Sequence, residues 1–213
     1  MTNSRGRKIV LAASTSESSE YMKSTWRQML LGTLPARYSR FPYYMIDISW
    51  KNEKHEDGQA VAVPNGLRVV ESILLEKFAP EDIAVCHTDE LDLFVGEDTR
   101  VVGVHAHNPL GITFATDVYA HFYGAEVEPI NAAEFKRLIT HPVLTKFKDN
   151  LKVIVGGPGA WQIEKKNLQD EWNIDCIVEG KAEDIILDLF ERAGDCGDSG
   201  FRRIAQVGDR LGK

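Results

Sequence analysis

Short runs of β-branched and other apolar residues alternate along this chain with amphipathic stretches of about three helical turns. The runs occupy residues 8–13, 82–87, 100–106, 151–155 and 175–178. Because each run is apolar on both faces, it is typical of a strand in a parallel sheet that helices cover on both sides. The pattern therefore predicts an α/β fold built on a doubly wound parallel sheet.

The segments between the strands predict helices and one irregular insertion. Asn65 is placed to cap a helix that Pro80 ends, and a helix over residues 132–148 is expected to break at His141-Pro142. Further helices are predicted over residues 89–95, 114–123, 162–172 and 182–193. We expect one domain over residues 1–194, with an irregular insertion at about 21–60, and a linker or the start of a following domain over 195–213.

Composition narrows the class of protein. The 213 residues are 43% hydrophobic and carry a formal net charge of −7 without a basic stripe, which argues against a nucleic-acid partner. No apolar run approaches the roughly 18 residues that a membrane helix needs, and the first residues lack a secretory signal, so we expect a cytoplasmic location and no membrane partner. The three cysteines, Cys86, Cys176 and Cys196, are too widely spaced for a disulfide framework or a Cys-x-x-Cys zinc site.

The stretch "VIVGGPGAW" at residues 153–161 lies where a strand meets its exit loop. In doubly wound sheets ligands bind at the carboxyl ends of the strands, and glycine allows a backbone or a flat ligand to approach closely. Two interpretations stay open here: a tight strand-to-helix turn, or one wall of a ligand pocket. The stretch matches neither the dinucleotide fingerprint nor the phosphate loop ending in Gly-Lys-Ser/Thr.

The next predicted strand ends in Glu179-Gly180 and is followed by Glu183. With Gly156-Gly157-Pro158 one strand earlier, the sequence resembles the cobalamin-binding domain that precedes the radical S-adenosylmethionine (SAM) domain in many Fe–S oxidoreductases and methyltransferases. The resemblance covers residues 100–193 well, and it extends more loosely to the first strand and residues 64–96.

This resemblance implies a flavodoxin-like or Rossmann-like domain that binds cobalamin. Its glycine-rich loop would face the corrin ring, the nucleotide tail would enter along the sheet, and the Glu179 to Glu183 segment would fix the loops. The expected cofactor-binding residues are Ser14, Thr15, His107, Asn108, Pro109, Leu110, Gly111, Gly156, Gly157, Pro158, Gly159, Glu179, Gly180 and Glu183. The sequence identifies no catalytic residue and no direct metal ligand.

Two departures from the resemblance shape the functional expectation. The loop after the first strand, Ser14-Thr-Ser-Glu17, lacks the cobalt-binding histidine of some cobalamin domains, so we expect bound cobalamin without a protein imidazole on cobalt. We expect His105 and His107 to form hydrogen bonds or to pack within their loop, and the alternative is that one of them contacts cobalt. The second departure is that the chain lacks a three-cysteine cluster motif. We therefore expect a fragment that is not catalytic alone, with the [4Fe–4S] cluster and SAM in a downstream radical SAM domain of the same polypeptide.

An alternative is a stand-alone flavodoxin-like enzyme, or a small-molecule-binding module, that acts on a phosphorylated ligand. Polar residues for such chemistry are present at the predicted strand ends: Ser14, Ser16, His105, His107, Glu179 and Glu183. No Gly-x-Ser-x-Gly or comparable motif arranges them. A third alternative is an interaction module with a degenerate site, since a fold alone does not determine function.

Overall fold

The chain folds around one sheet of six parallel strands, in a computed structural model that describes residues 5–17, 33–39, 53–113, 118, 128–194 and 205–207. The strands are β1 (Ile9–Ala13), β2 (Ile83–His87), β3 (Val101–His105), β4 (Lys152–Gly156), β5 (Cys176–Gly180) and β6 (Ala205–Val207). Their order in the sheet is β2-β1-β3-β4-β5-β6. Strand order reverses at β1, because β2 and β3 pair with it on opposite sides. The doubly wound α/β fold is therefore confirmed, and its switch point lies between β1 and β3.

Six helices belong to the described residues. They are α1 (Asn65–Leu74), α2 (Leu91–Phe94), α3 (Ile130–Ile139), α4 (Pro142–Lys146), α5 (Trp161–Lys165) and α6 (Ile186–Gly194). Short 3-10 turns occupy Thr15–Glu17, Ala36–Ser39, Pro80–Asp82 and Thr88–Glu90. The predicted helix over 114–123 lies outside the described residues apart from residue 118, as does most of the insertion at 21–60.

Alternate strand residues divide the core into two layers. Val10, Ala12 and Val102 face the side that contains α2, α3, α4 and α5. Ile9 and Leu11 face the opposite side, where α1 and α6 pack. Both faces of the sheet are buried, which explains why the strand sequences are apolar without alternation.

Several helix boundaries differ from the sequence prediction. Asn65 does not cap α1: it is the first helical residue, and Pro64 occupies the cap position without a side-chain bond. The helix predicted over 162–172 ends at Lys165, and two residues later Asn167 adopts a φ of +55°. The break at His141-Pro142 is confirmed, since His141 Nδ1 accepts a hydrogen bond from the Val143 N–H at the start of α4.

The tail after α6 contributes to the sheet. The sequence predicts a linker or a following domain over residues 195–213, and within that range Ala205–Val207 pair in parallel with the end of β5. No helix among the described residues is both long and apolar enough to cross a membrane.

His87 is a buried histidine at the end of β2. It is 1% exposed, and neither ring nitrogen has a hydrogen-bond partner within the described part of the chain. Burial lowers the pKa of His87 to about 4, and the positive charge of Lys54 acts in the same direction. The folded protein therefore holds a neutral imidazole in this position at pH values where an unfolded chain would bind a proton.

This difference predicts that the free energy of unfolding falls as pH is lowered from about 6.5 toward 4. Between pH 7 and pH 5 we expect His87 to account for a loss of about 2 kcal/mol, because the unfolded state gains a proton that the folded state excludes. Urea unfolding at a series of pH values checks this. His87→Gln should make the free energy of unfolding less dependent on pH, whereas the matched His55→Gln, at an exposed position, should leave the pH dependence unchanged. Equal pH dependence in the parent and in His87→Gln would contradict the role given to His87.

Candidate functional site

A cavity of about 260 Å³ opens between α1, α6 and the sheet. It extends to the carboxyl ends of β3, β4 and β5, beside the switch point, which is where ligands bind in doubly wound sheets. Most of its walls are apolar: Leu11, Leu67, Val69, Val70, Ile73, Val104, Ile154, Val178, Ala182, Ile186 and Phe190. The cavity therefore suits a nonpolar or aromatic group.

Two strand glycines form part of the cavity floor. Gly103 allows the side chains of Leu11 and Phe190 to pack against its backbone, because a Cβ on Gly103 would lie 2.8 Å from Leu11 Cδ2 and 3.0 Å from Phe190 Cζ. Gly156 is different: a Cβ there would meet only Val178, at 3.7 Å and 3.9 Å, which is ordinary contact. Gly156 thus leaves space over the end of β4 that a larger side chain would occupy.

The mouth of the cavity is more polar than its floor. His105, Lys181 and Glu183 line it, together with Gly157-Pro158 and Gly180. Gly180 ends β5 with a φ of +87°, a conformation that disfavours any side chain. The loops after β3, β4 and β5 therefore meet around one opening.

A buried carboxylate joins the loops after β1 and β3. Glu17 is only 6% exposed. Its Oε1 accepts a hydrogen bond of 2.9 Å from the backbone N–H of His107, which lies 90 residues later in the chain. Its Oε2 lies 3.0 Å from His105 Nδ1. Glu17 therefore holds the β3 exit loop through two hydrogen bonds, one to backbone and one to an imidazole.

The glycine-rich loop packs against the protein's own backbone. Gly157 has a φ of +114°, and a Cβ there would lie 2.6 Å from the Ala106 carbonyl oxygen. A Cβ on Gly159 would collide with the His107 carbonyl group. The glycine-rich loop therefore has two parts. At Gly157 and Gly159 the β3 exit loop makes the close approach, whereas Gly156 borders the open cavity.

A buried glutamine connects the loops after β3 and β4. Gln162 on α5 is fully buried; its Nε2 donates to Asn108 Oδ1 over 3.0 Å, and its Oε1 accepts from the Leu110 N–H over 3.0 Å. Asn108 also donates to Thr113 Oγ1 over 3.2 Å. These bonds give Asn108 and Leu110 a role in fixing the loop.

The predicted site residues fall into two groups. Those that line the cavity are Gly156, Gly157, Pro158, Gly180 and Glu183. Those that lie in neighbouring strands and loops without lining it are Ser14, Thr15, His107, Asn108, Pro109, Leu110, Gly111, Gly159 and Glu179. Ser14 and Thr15 are buried, and Thr15 Oγ1 lies 3.3 Å from Arg137 Nη2.

Glu17, Gln162 and the cavity walls supplied by α1 and α6 were not predicted from the sequence. Glu17 carried a usable signal, since a carboxylate one turn after a buried strand lies at the ligand-binding edge of the sheet. Gln162 carried none, because its partners are 52 and 54 residues away in the chain.

The described cysteines lie in the core. Cys86 and Cys176 are buried thiols, and burial raises the pKa of the Cys86 thiol, which keeps it protonated. Cys196 lies outside the described residues. Within the ranges that the structure describes, no group of three or more His, Cys, Asp or Glu side chains could hold a metal ion.

Comparisons of the chain with protein-family models, with curated proteins and with solved structures found no match.

The contrast between adjacent glycines gives a testable prediction. Gly157→Ala should lower the free energy of unfolding by about 2–3 kcal/mol, because the new methyl group meets the Ala106 carbonyl in a backbone conformation that alanine avoids. Gly156→Ala should change it by less than about 1 kcal/mol, since its Cβ has room. Urea unfolding measures both, and equal losses in the two variants would show that this backbone packing is misassigned.

Proposed function

We propose that this chain is a cobalamin-binding domain that serves a radical SAM Fe–S oxidoreductase or methyltransferase. The observation that carries the proposal is the apolar cavity between α1, α6 and the sheet, open at the carboxyl ends of β3 to β5. The Gly-Gly-Pro and Glu-Gly-x-x-Glu segments, on which the resemblance rests, both border this opening.

The size of the cavity supports a large ligand that inserts only one end. Pockets that enclose a whole drug-sized ligand measure roughly 300–1,000 Å³, and this cavity measures about 260 Å³. Its apolar walls match a flat aromatic base better than a charged group. In the proposal the base of the nucleotide tail occupies the cavity, and the corrin ring lies over the mouth.

The residues around the mouth fit such an arrangement. Gly156 leaves the floor open, and a flat ring can rest on Gly157-Pro158 and Gly180, where no long side chain rises. Lys181 and Glu183 offer charged hydrogen-bonding groups to the amide substituents of the ring. This chain's contribution is therefore to bind the cofactor and to orient it.

Cobalamin, when bound, supplies a cobalt centre that carries a methyl group or electrons. The [4Fe–4S] cluster and SAM would belong to a downstream domain of the same polypeptide, which would present its substrate to the exposed face of the cofactor. The apolar walls of the cavity would exclude water from the buried end of the ligand.

Binding of hydroxocobalamin tests the proposal directly. The purified chain should retain the cofactor through desalting, with a visible spectrum that saturates at one cofactor per chain. Gly156→Leu should weaken binding at least about tenfold, because a strand side chain at this position points to the same face as Ile154 and fills the cavity. Circular dichroism should show that the variant remains folded.

Two controls make this result specific. Gly194→Ala adds a methyl group at the end of α6, where nothing lies within 4 Å, and should bind as the parent does. Flavin mononucleotide, a flat phosphorylated ligand, should not bind under the same conditions. Retention of flavin mononucleotide without hydroxocobalamin would instead support a module for phosphorylated ligands and overturn the proposal.

A further inference from the structure

Glu17 determines which nitrogen of His105 carries the proton. An ionised carboxylate accepts hydrogen bonds and donates none. Glu17 Oε2 lies 3.0 Å from His105 Nδ1, and the two side chains are only 4% and 11% exposed. The other oxygen of the carboxylate, Oε1, accepts a hydrogen bond from the His107 N–H. In the neutral imidazole the proton is therefore on Nδ1, and Nε2 is a hydrogen-bond acceptor.

This acceptor lies on the edge of the ring that borders the cavity. His105 lines the cavity mouth, and so does Gly66 in the first turn of α1. A Cβ built on Gly66 would lie 3.9 Å from both Cδ2 and Nε2 of His105, so this edge of the ring faces α1 where the helix has no side chain to cover it. Among the described residues, none forms a hydrogen bond with Nε2.

The rest of the cavity offers little to a polar group. Among the described residues that line it, three have polar side chains: His105, Lys181 and Glu183. Lys181 and Glu183 are exposed, so water can still bind them when the cavity is filled, whereas the His105 ring is nearly buried. A ligand that fills the cavity would therefore displace water from Nε2. A buried acceptor that is left without a donor costs roughly 1–3 kcal/mol.

We propose that this cavity binds a small aromatic molecule, or an aromatic group of a larger one, that donates an N–H or O–H hydrogen bond to His105 Nε2. The apolar walls favour a ring, and a volume of about 260 Å³, below that of pockets for drug-sized ligands, suits one or two fused rings. The inference goes beyond the proposed function, because it concerns the donor that any ligand of the cavity carries. The sugar of a nucleotide tail also has hydroxyl donors.

Indole and benzofuran test the inference, because benzofuran has an oxygen atom where indole has its N–H. The parent chain should bind indole with a Kd at least about tenfold lower, since only indole satisfies the buried acceptor. An apolar cavity without this acceptor would favour benzofuran, which gives up no N–H bond to water. Titrations followed by nuclear magnetic resonance measure both constants. Equal affinities, or binding of neither compound, would overturn the inference.

The histidine ring resonances test the position of the proton in the same samples. In chain grown with ¹⁵N-histidine, His105 should show a protonated Nδ1 and an unprotonated Nε2. Indole should shift the Nε2 resonance toward that of a hydrogen-bonded nitrogen, and benzofuran should not. A proton on Nε2 in the free parent chain at neutral pH would contradict the inference.

Two histidine variants identify the acceptor. His105→Phe removes the ring nitrogens and keeps a ring, so this variant should bind benzofuran at least as tightly as indole. The matched His107→Phe should keep the preference for indole, because His107 is exposed and contributes its backbone N–H to Glu17. A preference for indole that persists in His105→Phe would show that His105 is not the acceptor.

Glu17→Gln tests Glu17 as the positioning residue. Glutamine has one acceptor oxygen for two partners, the His107 N–H and His105 Nδ1, so its NH₂ group should face Nδ1 and move the ring proton to Nε2. The variant should lose the preference for indole. A folded Glu17→Gln chain with the proton still on Nδ1 and the preference intact would contradict this role. None of these measurements uses cobalamin, so their outcome is independent of the hydroxocobalamin result.

Discussion

The backbone contact between the loops after β3 and β4 is the constraint on which the rest of the site depends. The Ala106 N–H donates to the Gly156 carbonyl over 2.7 Å, and the Gly159 N–H donates to the Ala106 carbonyl over 2.9 Å. Gly157 and Gly159 permit this contact because neither carries a Cβ that would strike the opposing backbone. Backbone hydrogen bonds alone therefore join the exit loops of these two neighbouring strands.

Side chains from two other segments attach to the same β3 exit loop. Glu17 binds it from the β1 side, and Gln162 binds it from α5. Each of these groups is buried and hydrogen-bonded, which a polar group needs when it is removed from water. The β3 exit loop is thus held on both sides, and Glu17 also contacts His105 at the cavity mouth. The cavity in turn lies on the face of the sheet where α1 and α6 pack and where Gly156 leaves the floor open.

The sequence predicted the sheet well because strand identity is a local property. Runs of β-branched residues and the break at His141-Pro142 need no information from distant parts of the chain. The predicted length of α5 was wrong. The helix ends just before Asn167, which adopts a left-handed conformation that helical periodicity in the sequence does not reveal. The prediction that Asn65 caps α1 was wrong, because Pro64 occupies the cap position and the helix already begins at Asn65.

The site was less predictable for a physical reason. Glycine-rich sequence reports that something approaches the backbone closely, and it does not identify the approaching group. At Gly157 and Gly159 the approaching group is the chain's own backbone, whereas beside Gly156 there is open space. The pairing of Glu17 with His105 joins residues 88 positions apart, so neither residue's neighbours in the sequence indicate it.

The most direct measurement is a crystal structure of the chain grown with hydroxocobalamin. The account predicts density for the base of the nucleotide tail between α1 and α6, next to Gly156, with the corrin ring over the loops after β3, β4 and β5. A cofactor bound elsewhere on the surface, with the cavity between α1 and α6 unchanged, would contradict it.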